Sequence, residues 1–395
     1  MRRWLQTVFV CIGAGLIPVS VQDAQAEQLP DDVNSVSRSR LPPVDREELD
    51  PVRRETYDAG RQTEDVERSG MGAGVLRLHG SGTDLRFSGP LGRRLTEIAI
   101  LTTAREIDQP YEWALHELDA LAVGVDEVII DIIRHRKPTS GVGDPEAIIM
   151  DIGRELLTTR RLGAETYAHA LQVLGKTNLV DLVDLIGRYT STGATLTAVN
   201  QQMPMGWRQS LPLPFTYPDD IYPDSRSRLP LRPGPYQTSV NALYGRMASP
   251  GGIGPGQIRA YGEGIQTLEA RIGKRLEMLA VLVTARAHNS QYDWTMHEPL
   301  ALEAGLEREV IDVVKHRRAI DDLDDEDATL VSFARELFGD HNVRADTYAR
   351  AKRAFGETDL VDIVALMGAH AADAVMFAGF DQQLPEGVAP LLPLP

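Results

Sequence analysis

The sequence contains a single cysteine, Cys11, among its 395 residues. This cysteine lies in an N-terminal segment that we expect to be removed, so the predicted mature chain carries no thiol. Disulfide bonds, cysteine-ligated metal sites and thiol redox chemistry are therefore excluded. The fold must be stabilised by its apolar core alone, and the chain is long enough for two domains with substantial cores.

The sequence also lacks a concentrated basic patch, and its formal net charge is −16. Such a chain does not attract nucleic-acid phosphates, so we expect no nucleic-acid partner. An anionic substrate would need a local group of arginines. After residue 26 there is no apolar run long enough to cross a bilayer, so no membrane contact is predicted for the mature chain.

The first 26 residues have the pattern of a signal peptide. Arg2 and Arg3 give a basic start, residues 5–21 are mostly apolar, and Ala24 and Ala26 fit a small-residue cleavage site. We therefore predict a signal peptide over residues 1–26 and a periplasmic or secreted protein. The alternative is that the segment is retained as an anchor.

Helical periodicity runs through the rest of the chain. From residue 91 onward, apolar residues recur every three or four positions, and no convincing two-residue alternation of a strand is present. This pattern predicts an all-α protein. In the first half, the first helix of this region is predicted to end near residue 105. The helices after it are predicted over 110–124, 125–134, 144–157, 164–174 and 178–189.

The chain is a tandem repeat whose two copies keep a constant offset. Residues 111–117, with sequence YEWALHE, recur as YDWTMHE at 292–298, and residues 178–182 recur at 359–363 with the same spacing. A constant offset over more than a hundred residues is a strong repeat signal. The predicted organisation is a signal peptide at 1–26 and an N-terminal lead with one helix at 27–69. A first domain at 70–210, a Pro-rich linker at 211–235 and a second domain at 236–395 follow.

Each copy places an acid four residues before a histidine. Glu112 and His116, like Asp293 and His297, share one face of a helix. Such a pair is suited to proton transfer. The alternative is a structural ion pair, which stabilises a helix by only a few tenths of a kcal/mol.

These residues, together with Glu97, resemble the carboxymuconolactone decarboxylase family of the alkylhydroperoxidase-like superfamily. The resemblance lies in Glu97, Glu112-Trp-x-x-His116-Glu and the following Ala-x-Gly124, and it covers about 91–191 and 272–372. It implies two tandem alkylhydroperoxidase-like helical domains packed as a pseudo-dimer. It also implies self-association, for which a trimer of tandem chains is one arrangement.

The missing cysteines separate the two branches of that superfamily. The peroxidase branch has a Cys-x-x-Cys motif, whose cysteines align with Gln109 and Glu112. Because peroxide reduction needs a thiolate, the chain is predicted not to be a thiol peroxidase. The decarboxylase branch has the acid-Trp-x-x-His pattern without cysteines, and it implies chemistry that uses no cofactor and no metal.

The resemblance assigns catalytic roles to three residues. His116 would be the general acid, since an unperturbed histidine titrates near neutral pH. Glu112 would fix its tautomer and balance its charge, and Glu97 would orient it or act as a base. We call these three residues the predicted catalytic triad.

Three further residues are candidates for substrate binding. Arg105 is a candidate for binding a substrate carboxylate, with a solvent-facing charge at a helix end as the alternative. Tyr111 and Trp113 are candidates for lining a pocket, with packing between helices as the alternative for Trp113.

The second repeat keeps only part of this set. Asp293, His297 and Arg286 match their first-repeat counterparts, but Met278 stands where Glu97 would align. The neighbouring Glu277 would point elsewhere on the helix. We therefore predict a degenerate second site.

These observations lead to one predicted function and one alternative. The prediction is an exported, cofactor-independent lyase of the decarboxylase type that acts on a small cyclic or lactone carboxylic acid. The alternative is a non-catalytic ligand-binding or assembly protein that retains the helical fold.

Overall fold

The structure is a computed structural model that describes residues 29–60, 72–203, 210–213, 219–232 and 255–395. The predicted signal peptide and parts of the predicted linker lie outside the described residues. Within those ranges the chain forms helices and two isolated bridges but no β-strand, which confirms the all-α class. The α-helices in the described ranges are α1 Pro51–Gly60, α2 Ala73–Arg77, α3 Arg93–Glu106, α4 Pro110–Ala122, α5 Glu127–Arg134, α6 Glu146–Arg154, α7 Ala164–Ala198, α8 Pro255–Arg259, α9 Leu268–Ile272, α10 Lys274–Ala287, α11 Gln291–Glu303, α12 Arg308–Lys315, α13 Asp325–Arg335 and α14 Ala345–Gly379.

Local sequence signals explain where α4 and α5 begin. Gln109 caps α4 by accepting a hydrogen bond from the Tyr111 backbone N–H, and Pro110 occupies the first helical position. Asp126 caps α5 in the same way. The fourth predicted helix begins at Glu146, two residues later than predicted, and the Asp144 carboxylate lies 2.9 Å from the His169 ring.

The repeat is visible in the register of the helices. Helices α10, α11, α12 and α14 begin and end at the positions that the constant offset assigns to the counterparts of α3, α4, α5 and α7. A single π-helical turn follows both α6 and α13, at Glu155–Thr159 and Glu336–Asp340. The duplicated sequence therefore folds into duplicated local structure.

The two longest helices, α7 and α14, pack against each other at the centre of the molecule. Each is kinked at a glycine, Gly175 or Gly356, with φ of 74° or 78°, a conformation that glycine adopts without strain. The kink at Gly175 accounts for the two separate helices predicted on either side of it. The expectation that no segment after residue 26 is long and apolar enough to cross a membrane was wrong for helix α14, which is both. However, 78% of its most apolar window is buried inside the fold.

Two copies of the sequence SRSRLP connect the halves reciprocally. In the first copy, the Arg40 N–H donates to the Phe380 carbonyl at the end of α14. In the second copy, the Arg228 N–H donates to the Val199 carbonyl at the end of α7, and Leu229 is fully buried. The described part of the predicted linker is therefore packed on the first repeat.

Candidate functional site

Helices α3 and α4 bring the predicted catalytic triad together. The Glu97 Oε2 atom lies 2.6 Å from His116 Nδ1, and the Glu112 Oε2 atom lies 3.3 Å from His116 Nε2. All three residues are at most 3% exposed. Both nitrogens of one buried imidazole therefore face carboxylates, one from each helix.

This environment favours the protonated form of His116. Burial opposes the charge on the ring, but hydrogen bonds to Glu112 and Glu97, with the charges of both carboxylates, raise its pKa above the usual value. The two carboxylates thus favour the ring in its proton-donating form. A carboxylate on each side keeps this charge paired inside the protein.

A second layer of charges surrounds Glu97. Arg93, one turn earlier on α3, places Nη2 at 2.7 Å from Glu97 Oε1, and Arg86 places Nη2 at 2.9 Å from Asp119. Burial, followed by the charge of Glu97, raises the pKa of Asp119. The sequence analysis missed these three residues, although the spacing of Arg93 to Glu97 and of His116 to Asp119 places each pair on one helix face.

Helix α7 contributes an aromatic wall to the site. The Tyr189 ring meets the His116 ring edge-on, with centroids 5.1 Å apart and an angle of 86° between the planes. Burial, followed by the Glu112 charge, raises the pKa of the Tyr189 hydroxyl, so the phenol stays protonated. No sequence pattern selects this tyrosine from the other residues of its helix.

The three predicted substrate-binding residues contact protein groups outside the predicted catalytic triad. Arg105 donates from Nε to the Arg134 carbonyl at 2.7 Å and pairs with Asp108. Trp113 is fully buried and donates to Ser210 and a neighbouring glutamate. Tyr111 is buried in an apolar cluster at the end of α7. The hydrogen bonds of Arg105 and Trp113 therefore lead away from His116.

The second repeat contains a different cluster at the corresponding place. Asp293 lies 3.0 Å from His297 Nδ1 through Oδ1 and 3.0 Å from His370 Nδ1 through Oδ2. His370 stands at the position that Tyr189 has in the first repeat, and the buried Met278 stands at the position of Glu97. The second repeat has therefore replaced a carboxylate and a phenol by a thioether and an imidazole.

In this second cluster, the Asp293 carboxylate and the two histidines stabilise each other's charged forms. Burial disfavours an ionised Asp293, but the charges of His370 and His297 outweigh burial and lower its pKa. Burial likewise opposes a charged His370, and Asp293 raises its pKa. The carboxylate is ionised and shared between two histidines, an arrangement that position 297 alone does not indicate.

Two groups of side chains in the described ranges bring three possible metal ligands within 4.8 Å of one another. One consists of Asp293, His297 and His370, and the other of Glu97, His116 and Asp119. Two imidazoles and a carboxylate can bind zinc or iron, whereas two carboxylates already paired with arginines are less suited to a cation. Without a metal, both groups can still hold and transfer protons.

Comparisons with protein-family models, with curated proteins and with solved structures find no match to this chain.

Proposed function

We propose that the chain is an exported enzyme similar to the carboxymuconolactone decarboxylases, with cofactor-independent acid–base chemistry on a small cyclic or lactone carboxylic acid. One observation carries the proposal. The family motif pairs His116 with a glutamate on the preceding helix, and the Glu97 Oε2 atom lies 2.6 Å from His116 Nδ1. A glutamate chosen from the motif therefore contacts the proposed acid.

The proposed reaction breaks the bond between the ring carbon and its carboxyl group. Carbon dioxide leaves, and the electron pair stays on the carbon as a dienolate. The protonated His116 then delivers its proton to that carbon, and solvent restores the proton on the ring. Glu97 and Glu112 hold the imidazolium in place, and positioned acids of this kind contribute about 10²–10⁴-fold to a rate.

The second repeat is proposed to act as a scaffold, with the two domains packed as a pseudo-dimer. The common register of the repeats, the packing of α7 on α14 and the reciprocal SRSRLP contacts support this arrangement. A tandem chain would then supply both halves of an interface that single-domain chains form by association. A trimer of such chains would have six domains.

A non-catalytic ligand-binding protein is the second candidate, and the burial of His116 favours it. The residue is only 2% exposed, so its ion pairs with Glu97 and Glu112 also suit a structural role. Under this alternative, the site residues stabilise the fold and ligand binding occurs elsewhere in the molecule.

The two candidates predict different results with the purified full chain and a panel of lactone carboxylic acids. For an enzyme, carbon dioxide is released, His116→Ala abolishes release while the protein stays folded, and His297→Ala has a much smaller effect. Release that survives both substitutions would show that the proposed site is wrong. For a binding protein, no carbon dioxide appears, but a ligand raises the melting temperature.

A further inference from the structure

The second repeat contains a cavity of about 320 Å³ between α10, α12, α13 and the π turn that follows α13. Its walls are formed by apolar side chains and by three arginines. The apolar residues are Val283, Val314, Val331 and Phe338, and the arginines are Arg286, Arg317 and Arg335. A pocket of this size, apolar with a few charged groups, has the character of a small-molecule site.

No described carboxylate lies within ion-pair distance of these three arginines. Arg286 Nη1 is 3.2 Å from the Asn289 side-chain oxygen, Arg317 Nη2 is 3.2 Å from the Arg286 carbonyl, and Arg335 Nη2 is 3.3 Å from the Val313 carbonyl. The Arg286 Nε atom is buried and has no hydrogen-bond partner within the described ranges. Three cations therefore share one pocket with only neutral partners.

The first repeat provides an internal comparison, because the same three arginines occur there with carboxylate partners. Arg136 places Nε at 2.8 Å from Glu106 Oε2, and Arg154 places Nε at 3.9 Å from Glu106 Oε1. Asp108 pairs with both Arg105 and Arg136. Each of the three arginines thus has a carboxylate partner, and the Glu106 side chain is almost completely buried among them.

Both carboxylates are absent from the second repeat. Ala287 stands at the position of Glu106, and Asn289 stands at the position of Asp108. The first change removes a charge and the volume of a side chain, and the second removes a charge with little change of shape. The arginines are retained, so the second repeat has space and positive charge where the first repeat has an acid.

Burial and mutual repulsion act on the arginines of the second repeat. Burial, followed by the charge of Arg317, lowers the pKa of both Arg286 and Arg335. Arg160, which reaches this region from the first repeat, has its pKa lowered to about 10 by burial and by Arg317. In a chain with a net charge of −16, this is a local concentration of positive charge that an anion would relieve.

We propose that this pocket binds a small organic carboxylate. The carboxylate of the ligand would take the position that the Glu106 carboxylate has in the first repeat, between Arg317 and Arg335. Its apolar body would lie against Val283 and Phe338. The site lies outside the His116 cluster, so the proposal stands whether or not His116 is catalytic.

The chemistry of the walls defines the class of ligand. Guanidinium groups bind carboxylates and phosphates through paired N–H donors, so charge alone does not separate these two anions. The apolar walls favour an anion that has a hydrocarbon body over an inorganic ion. The volume is at the small end for ligand pockets, which favours a ligand of about the size of benzoate.

Isothermal titration calorimetry of the full chain tests this proposal with three probes. Benzoate carries the charge and the apolar body, benzamide has the same shape without the charge, and inorganic phosphate has charge without the body. We expect saturable binding of benzoate and at least tenfold weaker binding of the other two. Failure of benzoate to bind, or equal binding of benzamide or phosphate, would overturn the proposal.

Substitutions then locate the site. Ala287→Glu supplies the missing carboxylate from the protein itself, so it should abolish benzoate binding and raise the melting temperature. Arg335→Gln should weaken benzoate binding about tenfold or more, whereas the matched change Arg154→Gln in the first repeat should leave it unchanged. If Ala287→Glu does not fold, the comparison of Arg335→Gln with Arg154→Gln still tests whether benzoate binds in this pocket. Binding that is insensitive to Arg335→Gln would overturn the assignment.

Discussion

Replacing Glu97 by glutamine removes one of the two charges that hold the proton on His116. The substitution keeps the size and hydrogen-bonding capacity of the side chain, so it separates charge from shape. Glu112 stays 3.3 Å from the other ring nitrogen, and burial continues to oppose the charged ring. The pKa of His116 should therefore fall but retain a contribution from Glu112.

The magnitude follows from the contact between Glu97 and His116. The two atoms are 2.6 Å apart in a fully buried pair. A hydrogen bond to a charged group contributes about 1.5–3 kcal/mol and a neutral one about 0.5–1.5 kcal/mol, so removing the charge costs about 1 kcal/mol. Because one pKa unit corresponds to about 1.36 kcal/mol, we expect Glu97→Gln to lower the pKa of His116 by about one unit.

An NMR titration of histidine ring signals measures this change. The chain has nine histidines, and the His116 signal is identified by its loss in His116→Gln. The matched control is Met278→Gln, which alters the corresponding position of the second repeat without removing a charge. The His370 titration should be unaffected in that control. A His116 pKa that stays in place after Glu97→Gln would refute the electrostatic interpretation of the site.

Three further predictions concern stability and metal dependence. A Cβ at Gly187 would lie 2.9 Å from the Ala372 carbonyl, so Gly187→Ala should destabilise the protein by about 1–3 kcal/mol in urea titrations. Gly74 has open space around it, so Gly74→Ala should not destabilise the protein. Equal effects of the two substitutions would contradict the close packing of α7 on α14. The folded-state pKa values of His116 and His370 are raised, so their stabilising contribution is complete below about pH 6.5 and is lost as pH rises through the raised values. The melting temperature should therefore fall on the alkaline side, and His116→Gln should flatten this fall. An unchanged fall in His116→Gln would contradict a stabilising role of the charged ring. Treatment with EDTA should leave any decarboxylase activity intact, and a loss restored by zinc would contradict the acid–base proposal.

The helical architecture was predictable because its signals are local. Apolar periodicity and Pro110 at a helix start each report on a few neighbouring residues, and the structure begins α4 at Pro110 as predicted. The helix predicted over 178–189 is the second part of α7, which continues to Ala198. The constant offset between the two copies then predicted that the second half would repeat the first. The packing of α7 against α14 depends on contacts between distant residues, which these local patterns do not contain.

The candidate site was only partly predictable. The motif selected Glu97, Glu112 and His116, and the structure places these side chains together. Tyr189 and His370 were missed because they come from a later helix, and only the fold shows that this helix faces the histidine of its own repeat. The replacement of Tyr189 by His370 was visible at the repeat offset, but it has meaning only once that contact is known.

The pocket lined by Arg286, Arg317 and Arg335 was likewise only partly predictable from the sequence. The change from Glu106 to Ala287 is present in the aligned repeats, yet an exposed surface difference would look identical in sequence. Burial of Glu106 between Arg136 and Arg154 is what turns this change into a missing charge. Differences between repeats become informative when the structure shows what each residue contacts.

The most direct test of the central claim compares kinetics with titration for the same histidine. If His116 is the general acid, kcat/KM for decarboxylation of a lactone acid should fall as pH rises through the His116 pKa measured by NMR. In Glu97→Gln, that falling limb should move to lower pH by the same amount as the NMR value. A limb that stays in place while the NMR pKa of His116 shifts would contradict the account.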